Sequence, residues 1–593
     1  YIVYTSHRLL NQAKLHSFCT KPVYMFGHPV PRNHDQAMKL DEDNGNNNWK
    51  TAEMLELKQI QDYRTFVDKG KNSPIPQGYK KIRVHFVYAV KHDGRFKARL
   101  VAGGHLTDTP VDSVYSSVVS LRGLRLVIFL GELNGLDTWA TDIGNAFLES
   151  KTKEKVCIIA GPEFNELEGH TLVIVKALYG LRSSGLRWHE RFADTLRDMG
   201  FFQSRAEDDI WMSRDGNLYE YMAIYVDDLC IVAKDPGKII AVLQDKYKYK
   251  LKNTGEILYH LGCDFFRDST GTLCMSPKTY IEKMESTYKR MFGSSPKPVS
   301  SPLDNNDHPE LDTSDELENE DIKKYQSLIG ALQWAVSIRQ IDITTAIMTM
   351  SGFRVAPRKG HLNRVKRIYG YLCKMKHASI RVRTEEPDYS DIPSPEYNWA
   401  YTAYGNVEEV LPKDAPEPLG KHVTSTCYVD ANLHHDMITG RSVTDILHLL
   451  NKTPIQWYSK KQGTVETATY GFELVAARIA TEQIIELRLT LRYLGVPLNE
   501  KTYMFGDNKS VVDGSSRPHA KLHKRHTALS FHRVREAIAS KMLTFTFIPG
   551  NINPADILSK HWSNHKTWAM LQPLLFWQGD TLDIPINKSS NTN

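Results

Sequence analysis

The sequence predicts an α+β chain of several domains, and three observations carry that expectation. Its 593 residues suffice for roughly three to five compact units. Short runs rich in Ile, Val and Tyr alternate with stretches whose apolar residues recur at helical spacing. Carboxylates stand at the ends of several such runs, one set mid-chain and a second near the C-terminus. Composition is that of a globular protein, 41% hydrophobic and 24% charged. The net charge of +6 is compatible with nucleic-acid binding without establishing it. Seven cysteines, an odd and scattered set, argue against a disulfide framework and for a reducing compartment. No apolar run is long enough to span a bilayer. The chain opens on Tyr1, not Met, as a cleaved or truncated product would.

Residues 1–48 show little periodicity and hold the polar patch Leu40-Asp-Glu-Asp-Asn-Gly-Asn-Asn-Asn48, which reads as a tether. A helix is expected over 50–66. Thr138-Trp-Ala-Thr-Asp-Ile143 reads as a buried strand with Asp142 at its end, followed by a helix start. Met222-Ala-Ile-Tyr-Val-Asp-Asp-Leu-Cys-Ile-Val-Ala233 reads as a β-hairpin. Its turn lacks the glycine that tight hairpins favour and sets Asp227 beside Asp228. Adjacent carboxylates repel, and a divalent cation relieves the repulsion. Magnesium suits a carboxylate site that must also hold phosphates. Asp142 with Asp227 and Asp228 would form a three-carboxylate cluster able to clamp two ions. Taken alone, Asp142 is equally well read as a helix N-cap.

A second acidic set follows. Asp430 comes after the strand-like run Ser425-Thr-Cys-Tyr-Val429. Glu473 lies on a helix whose Phe472, Val475, Ala476 and Ile479 repeat at helical spacing, and Gly495 and Pro497 mark its stop. Asp507 ends the strand Thr502-Tyr-Met-Phe-Gly506, with Asn508 opening the next helix. Asp556 follows the alternating run Met542-Leu-Thr-Phe-Thr-Phe-Ile548 and reads as a helix-start residue. Glu466 competes with Glu473 but lacks the helical frame. The basic stretch 519–535 opens a helix with an expected inner face of Leu529, Phe531, Val534 and Ile538. It reads equally as a nucleic-acid-binding face and as a solvated one.

Five boxes in series carry a resemblance: Lys97-Ala-Arg-Leu-Val-Ala-Gly-Gly-His105, Asp142-Ile-Gly-Asn-Ala-Phe-Leu148, Val175-Lys-Ala-Leu-Tyr-Gly-Leu-Arg182, Tyr225-Val-Asp-Asp228 and Tyr259-His-Leu-Gly262. From about Trp49 to about Trp562 the chain resembles the reverse transcriptase–RNase H region of the Pol polyprotein of Ty1/copia-type LTR retrotransposons. The resemblance implies a right-hand polymerase with fingers, palm and thumb, then a helical connection and an α/β RNase H-like domain. The boundaries it implies are a polyprotein remnant at 1–48, fingers and palm at 49–265, and the thumb start at 266–292. A Pro/Ser-rich and acidic linker at 293–321, the connection at 322–420, the RNase H-like domain at 421–565 and a tail at 566–593 follow.

As implied by that resemblance, the chain is an RNA-directed DNA polymerase (a nucleotidyltransferase) and a ribonuclease H endonuclease. Asp142, Asp227 and Asp228 would be the polymerase metal ligands, and Asp430, Glu473, Asp507 and Asp556 the nuclease ones. Each site would take two Mg2+ ions, with Mn2+ as a substitute. Lys97 and Arg99 would hold the incoming triphosphate and Phe147 would gate the sugar, with Tyr225 and Gly180 completing the substrate-binding set. The partners implied are RNA template, DNA primer, RNA–DNA hybrid and dNTPs, with integrase and capsid proteins of the same element, and no membrane. The setting implied is a cytoplasmic virus-like particle, the nucleus, or both. One departure stands out. Ser183 occupies the position where the family often carries a Gln that helps place the base. That keeps open an alternative, a decayed or repurposed copy that binds RNA–DNA hybrid without efficient polymerisation.

Overall fold

The structure, a computed structural model, describes residues 23–25, 28–91, 94–107, 114–305, 307–393, 396–405, 407–432, 435–466, 468–499, 501–522, 524–558, 570–571 and 574–575. The tail expected at 566–593 falls almost wholly outside the described residues, as does 1–22 of the expected tether. The chain divides into two compact units, Tyr1–Ser117 with Ile143–Gly200, and Val118–Asp142 with Phe201–Asn593.

The first unit is built on the hairpin Val84–Val90 and Phe96–Ala102, in register from Val84 opposite Ala102 to Val90 opposite Phe96. Strand alternation buries Phe86, Tyr88, Ala98 and Leu100 and leaves Lys97 and Arg99 half-exposed on the other face. The helix Asn48–Asp62 covers the buried face with Trp49 and Ile60. Its Glu56 carboxylate accepts the Leu100 N–H at 3.1 Å, and burial pushes that carboxyl's pKa up. The helix ends four residues earlier than expected because Arg64 turns the chain with φ +51° into the strand Phe66–Lys71.

The tether expectation is corrected over 28–48. His28–Val30 pairs with Val23–Met25, and a helix runs from His34 to Asp43. The polar patch is capping chemistry rather than a spacer: Asn33 accepts the Gln36 N–H at 2.9 Å, and the buried Asp41 accepts the Trp49 and Lys50 N–H groups at 3.1 and 2.9 Å. These contacts satisfy orphan donors at two helix starts.

The second unit contains a six-stranded sheet in the order Phe202–Gln203, Ile210–Asp215, Leu218–Tyr225, Asp228–Ala233, Asp137–Ile143, Leu251–Glu256. The helix Leu121–Asn134, capped by Ser120 and closed by left-handed Gly135, packs on its central strands. The segment expected as a linker at 293–321 is anchored instead. Leu303 and Leu317 are buried, and the Arg364 guanidinium bridges Asp307 and Asp312. The helices Asn319–Ile338, Thr344–Ser351 and Lys359–Lys374 follow. The described residues from 382 to 420 carry no helix or strand, so the expected connection is helical only in its first half.

A five-stranded sheet ends the unit, ordered Thr453–Lys461, Val443–Leu450, Ser425–Asn432, Thr502–Gly506, Leu543–Phe547. The first three strands are antiparallel and the last two run parallel to Ser425–Asn432. The helix Thr469–Tyr493 lies against it through Phe472, Ala476, Ala480 and Ile484, all buried. This is a mixed α+β multidomain chain with an RNase H-like region. The helix after the basic stretch spans Ala528–Ala539. It buries Phe531 and Val534 as expected but exposes Leu529. Arg535 is buried instead, its guanidinium 4.7 Å over Phe531 and 4.8 Å over Trp399. Arg125 ties the two sheets of this unit together: it donates to the Ile455 carbonyl at 2.7 Å and the Ser337 carbonyl at 3.0 Å and lies 4.4 Å over the Trp457 ring.

Candidate active sites

The hairpin site is made by three consecutive strands of the six-stranded sheet. Tyr225 pairs with Asp228, which leaves Val226 and Asp227 as a two-residue turn. Val226 has φ +60°, a conformation that β-branched residues resist and that hairpins of this kind normally assign to glycine. Strain of about 1–3 kcal/mol is the usual cost of such a conformation. On the other side of the strand, Asp228 stands directly opposite Asp142. Opposed residues of an antiparallel pair share a face, and like charges so placed destabilise the pair. Both carboxylates, with Asp227 and Tyr225, are half-buried. A cavity of about 340 Å³ adjoins them, lined by Asp142, Asp228, Asn253, Tyr259 and His260. Burial drives the His260 imidazole down to about 4.

The second site gathers acids from a strand, a helix and a strand end. Asp430 projects from Ser425–Asn432, Glu473 from the first turns of Thr469–Tyr493, and Asp507 follows Thr502–Gly506. Their ligand oxygens all lie within 4.8 Å of one another, the one such group of three found among the described residues; Asp142, Asp227 and Asp228 are not gathered so closely. Oxygen-only donors are the set that Mg2+ and Mn2+ prefer. Asn508 caps the following helix by accepting the Val511 N–H, which fixes the chain direction just after Asp507. Gly550 lies against this acid: a Cβ there would stand 2.8 Å from the Asp507 Oδ2.

Asp556 sits outside the close group. The final helix expected to carry it is a short 3-10 turn, Pro554–Leu558, because Pro549 and Pro554 interrupt the backbone on either side of Gly550–Ile552. Glu466, the competitor, bonds His526 at 3.0 Å and is not in the group. Sequence reading passed over Asp445, which stands in register with Asp430 on the neighbouring strand and is fully buried. Its one signal was an acid in the middle of the apolar run Val443–Leu450.

The basic residues of the first unit form a third constellation. The Arg99 guanidinium lies 4.0 Å over the Tyr179 ring, and the Phe147 ring is 5.0 Å from the same ring. Tyr179 had been quoted only as part of a sequence box, yet it touches both. Gly180, at φ +90°, lies against the Ala102 carbonyl where no side chain fits, and the Ala102 N–H donates to the Tyr179 carbonyl at 2.7 Å. Lys97 shares the outward face of the strand with Arg99. Phe147 belongs to a single turn, Ala146–Glu149. Ser183 points inward, its hydroxyl donating to Glu154 at 2.6 Å.

Comparison with known proteins agrees with this geometry. Residues 71–295 match the family described as reverse transcriptase (RNA-dependent DNA polymerase). A Retrovirus-related Pol polyprotein from transposon TNT 1-94 of Nicotiana tabacum is 27% identical over 506 residues, covering 82% of this chain and 35% of that protein. The corresponding polyprotein from transposon RE1 of Arabidopsis thaliana is 25% identical over 498 residues, covering 82% and 31%. The chain therefore spans about a third of the length of these relatives. Among solved structures, LC11-RNase H1 in complex with RNA/DNA hybrid is 16% identical with a TM-score of 0.19, covering 23% of this chain and 94% of that one. No helix among the described residues is long and apolar enough to cross a membrane. The chain corresponds to the Pol region of Ty1/copia-type retrotransposons, with a reverse transcriptase domain followed by an RNase H-like region.

Proposed function

We propose that the chain copies RNA into DNA at the hairpin site and hydrolyses the RNA of the resulting hybrid at the second site. The observation that carries the reading is the register that sets Asp142 against Asp228 beside the Asp227 turn. In this reading the six-stranded sheet is the palm, the hairpin of Lys97 and Arg99 belongs to the fingers, and the helix Lys278–Phe292 begins the thumb. Asp142, Asp227 and Asp228 would hold one pair of Mg2+ ions, and Asp430, Glu473, Asp507 and Asp556 the other. When bound, such ions neutralise charge on the attacking and leaving oxygens of an in-line phosphoryl displacement.

The chain's own residues do the positioning. Arg99 offers a planar fork for triphosphate oxygens and Lys97 a point charge. Tyr179 holds the Arg99 guanidinium in place by cation–π attraction. Phe147, fixed against the same ring, would collide with a ribose 2′-OH and so select deoxynucleotides. The sharp turn at Gly180 lets the backbone approach closely, and Tyr225 presents its ring at the entrance to the hairpin. At the second site, Asp507 and Glu473 would orient the attacking water and Asp430 would anchor the scissile phosphate's counter-charge. Partners follow as RNA template, DNA primer and dNTPs, with integrase and capsid proteins of the same element. The setting follows as a cytoplasmic virus-like particle, the nucleus, or both.

One observation favours a second reading, a decayed or repurposed copy that grips hybrid without efficient polymerisation. Ser183 stands where the family often has a base-placing Gln, and its hydroxyl is turned onto Glu154. Magnesium-dependent primer extension on an RNA template separates the two. Incorporation that is lost in Asp227→Asn and Asp228→Asn supports the copying enzyme, and absence of incorporation by the unmutated chain supports the decayed one. Cleavage of labelled hybrid RNA, with Asp507→Asn as the control, reads the second site independently.

A further inference from the structure

The strand Val443–Leu450 is buried at every position, and Asp445 at its centre has 0% of its surface exposed. An ionised carboxylate in such a place costs several kcal/mol unless it is paired. Neither Asp445 carboxylate oxygen has a hydrogen-bond partner. Its two cross-strand neighbours are Asp430 and Ser459. The Ser459 hydroxyl favours the charged form of Asp445 but donates to the Leu558 carbonyl at 3.0 Å. The charged groups that act on Asp445 most strongly are Asp430, Asp556 and Glu473, all acidic, and together with desolvation they hold its pKa well above the ordinary carboxylate range. Directly opposed residues share one face of a sheet, so Asp445 faces the side from which Asp430 enters the close acid group.

A structural buried acid would be expected to have a hydroxyl, amide or guanidinium beside it. Asp445 instead has acids on the side where Asp430 stands and a hydroxyl committed elsewhere. A divalent cation among Asp430, Glu473 and Asp507 is the neighbour that would convert this repulsion into attraction. We propose that Asp445 is a further acidic residue of the second site, a positioning carboxylate that strengthens its hold on a divalent cation. The inference rests on reading that site as a metal site. It extends the acid set beyond the four carboxylates named from the resemblance, and it accounts for why Asp556, outside the close group, still acts on Asp445.

The test is calorimetric titration of the full chain with Mn2+, in an Asp227→Asn, Asp228→Asn background that silences the hairpin site. Asp445→Asn keeps the shape and removes the charge. It is expected to weaken binding by roughly ten- to a hundredfold and to reduce the metal-induced rise in melting temperature accordingly. Asp445→Ser is the second variant should the amide misfold. Equal or tighter binding by a folded Asp445 variant overturns the proposal. Asp507→Asn separates the layers. If it abolishes binding while the Asp445 variants leave it intact, the site holds metal and only the role of Asp445 fails. If it changes nothing, the metal reading and the proposal fall together.

Discussion

The two acidic sites solve one electrostatic problem in different ways. At the hairpin site, two acids are neighbours in the chain and the third is one strand away, so a tight turn and a single register suffice to assemble them. The site is half-exposed, and part of the cost appears in the backbone as the left-handed Val226. At the second site the acids come from a strand, a long helix and the end of another strand, and a helix must dock on a sheet before they meet. The cost there is desolvation, concentrated at Asp445. A locally built site tolerates solvent and stores strain, whereas one built by packing excludes solvent and stores charge.

Separating the two chemistries gives the largest expected effect. Asp228→Asn should lower primer extension by on the order of a thousandfold or more, the scale of losing a principal electrostatic group in phosphoryl transfer, and leave hybrid cleavage intact. Asp507→Asn should do the reverse. If either variant abolished both activities, the sites would not be independent.

Next in size is the sugar gate. Phe147→Ala should admit ribonucleotides, with discrimination against rNTPs falling by roughly a hundredfold, equivalent to about 3 kcal/mol of lost steric exclusion. Competitive incorporation measures it, and unchanged discrimination would make the ring a packing residue.

Acid should weaken the two regions through different histidines. His260 lines the hairpin-site cavity. His448 lies in the same strand as Asp445, bonded to Gln483 at 3.0 Å. Burial holds both at about 4, below the unfolded value of about 6.5, so folding favours the neutral ring. Their contribution is fully present above about pH 6.5 and is lost as pH falls towards 4, on the order of 2 kcal/mol each by pH 4.5. Urea melts at pH 7 and 4.5 read this loss. His260→Gln and His448→Gln should each flatten part of it, and a variant with the parent's pH dependence would remove that histidine from the account.

The smallest effect concerns the turn. Val226→Gly relieves about 1–3 kcal/mol of strain but loosens the unfolded chain by about 0.5–1 kcal/mol. The expected net gain is about 1 kcal/mol in denaturant stability, and a loss would show that Val226 is held there without strain.

Several features were legible before any coordinates because their causes are local. Alternating apolar residues around Asp227 and Asp228 specify the hairpin, helical spacing around Glu473 specifies its helix, and Asn508 announces a cap. Other features have non-local causes. The Asn-rich patch before Trp49 looks like a spacer until Asp41 is seen to cap the next helix. Leu529 looks like core, yet Arg535 takes the inward place because Trp399 and Phe531 lie over its guanidinium.

Periodicity and residue order, read along the chain alone, settled which segments are strands and helices and which acids end them, since those follow from backbone geometry and neighbouring side chains. Strand register and helix docking settled which acids meet. Asp142 faces Asp228, Asp430 faces Asp445, and Asp556 remains apart, because each pairing depends on burying apolar faces that lie far apart in sequence, and that exchange of water for packing exists only once the chain has folded.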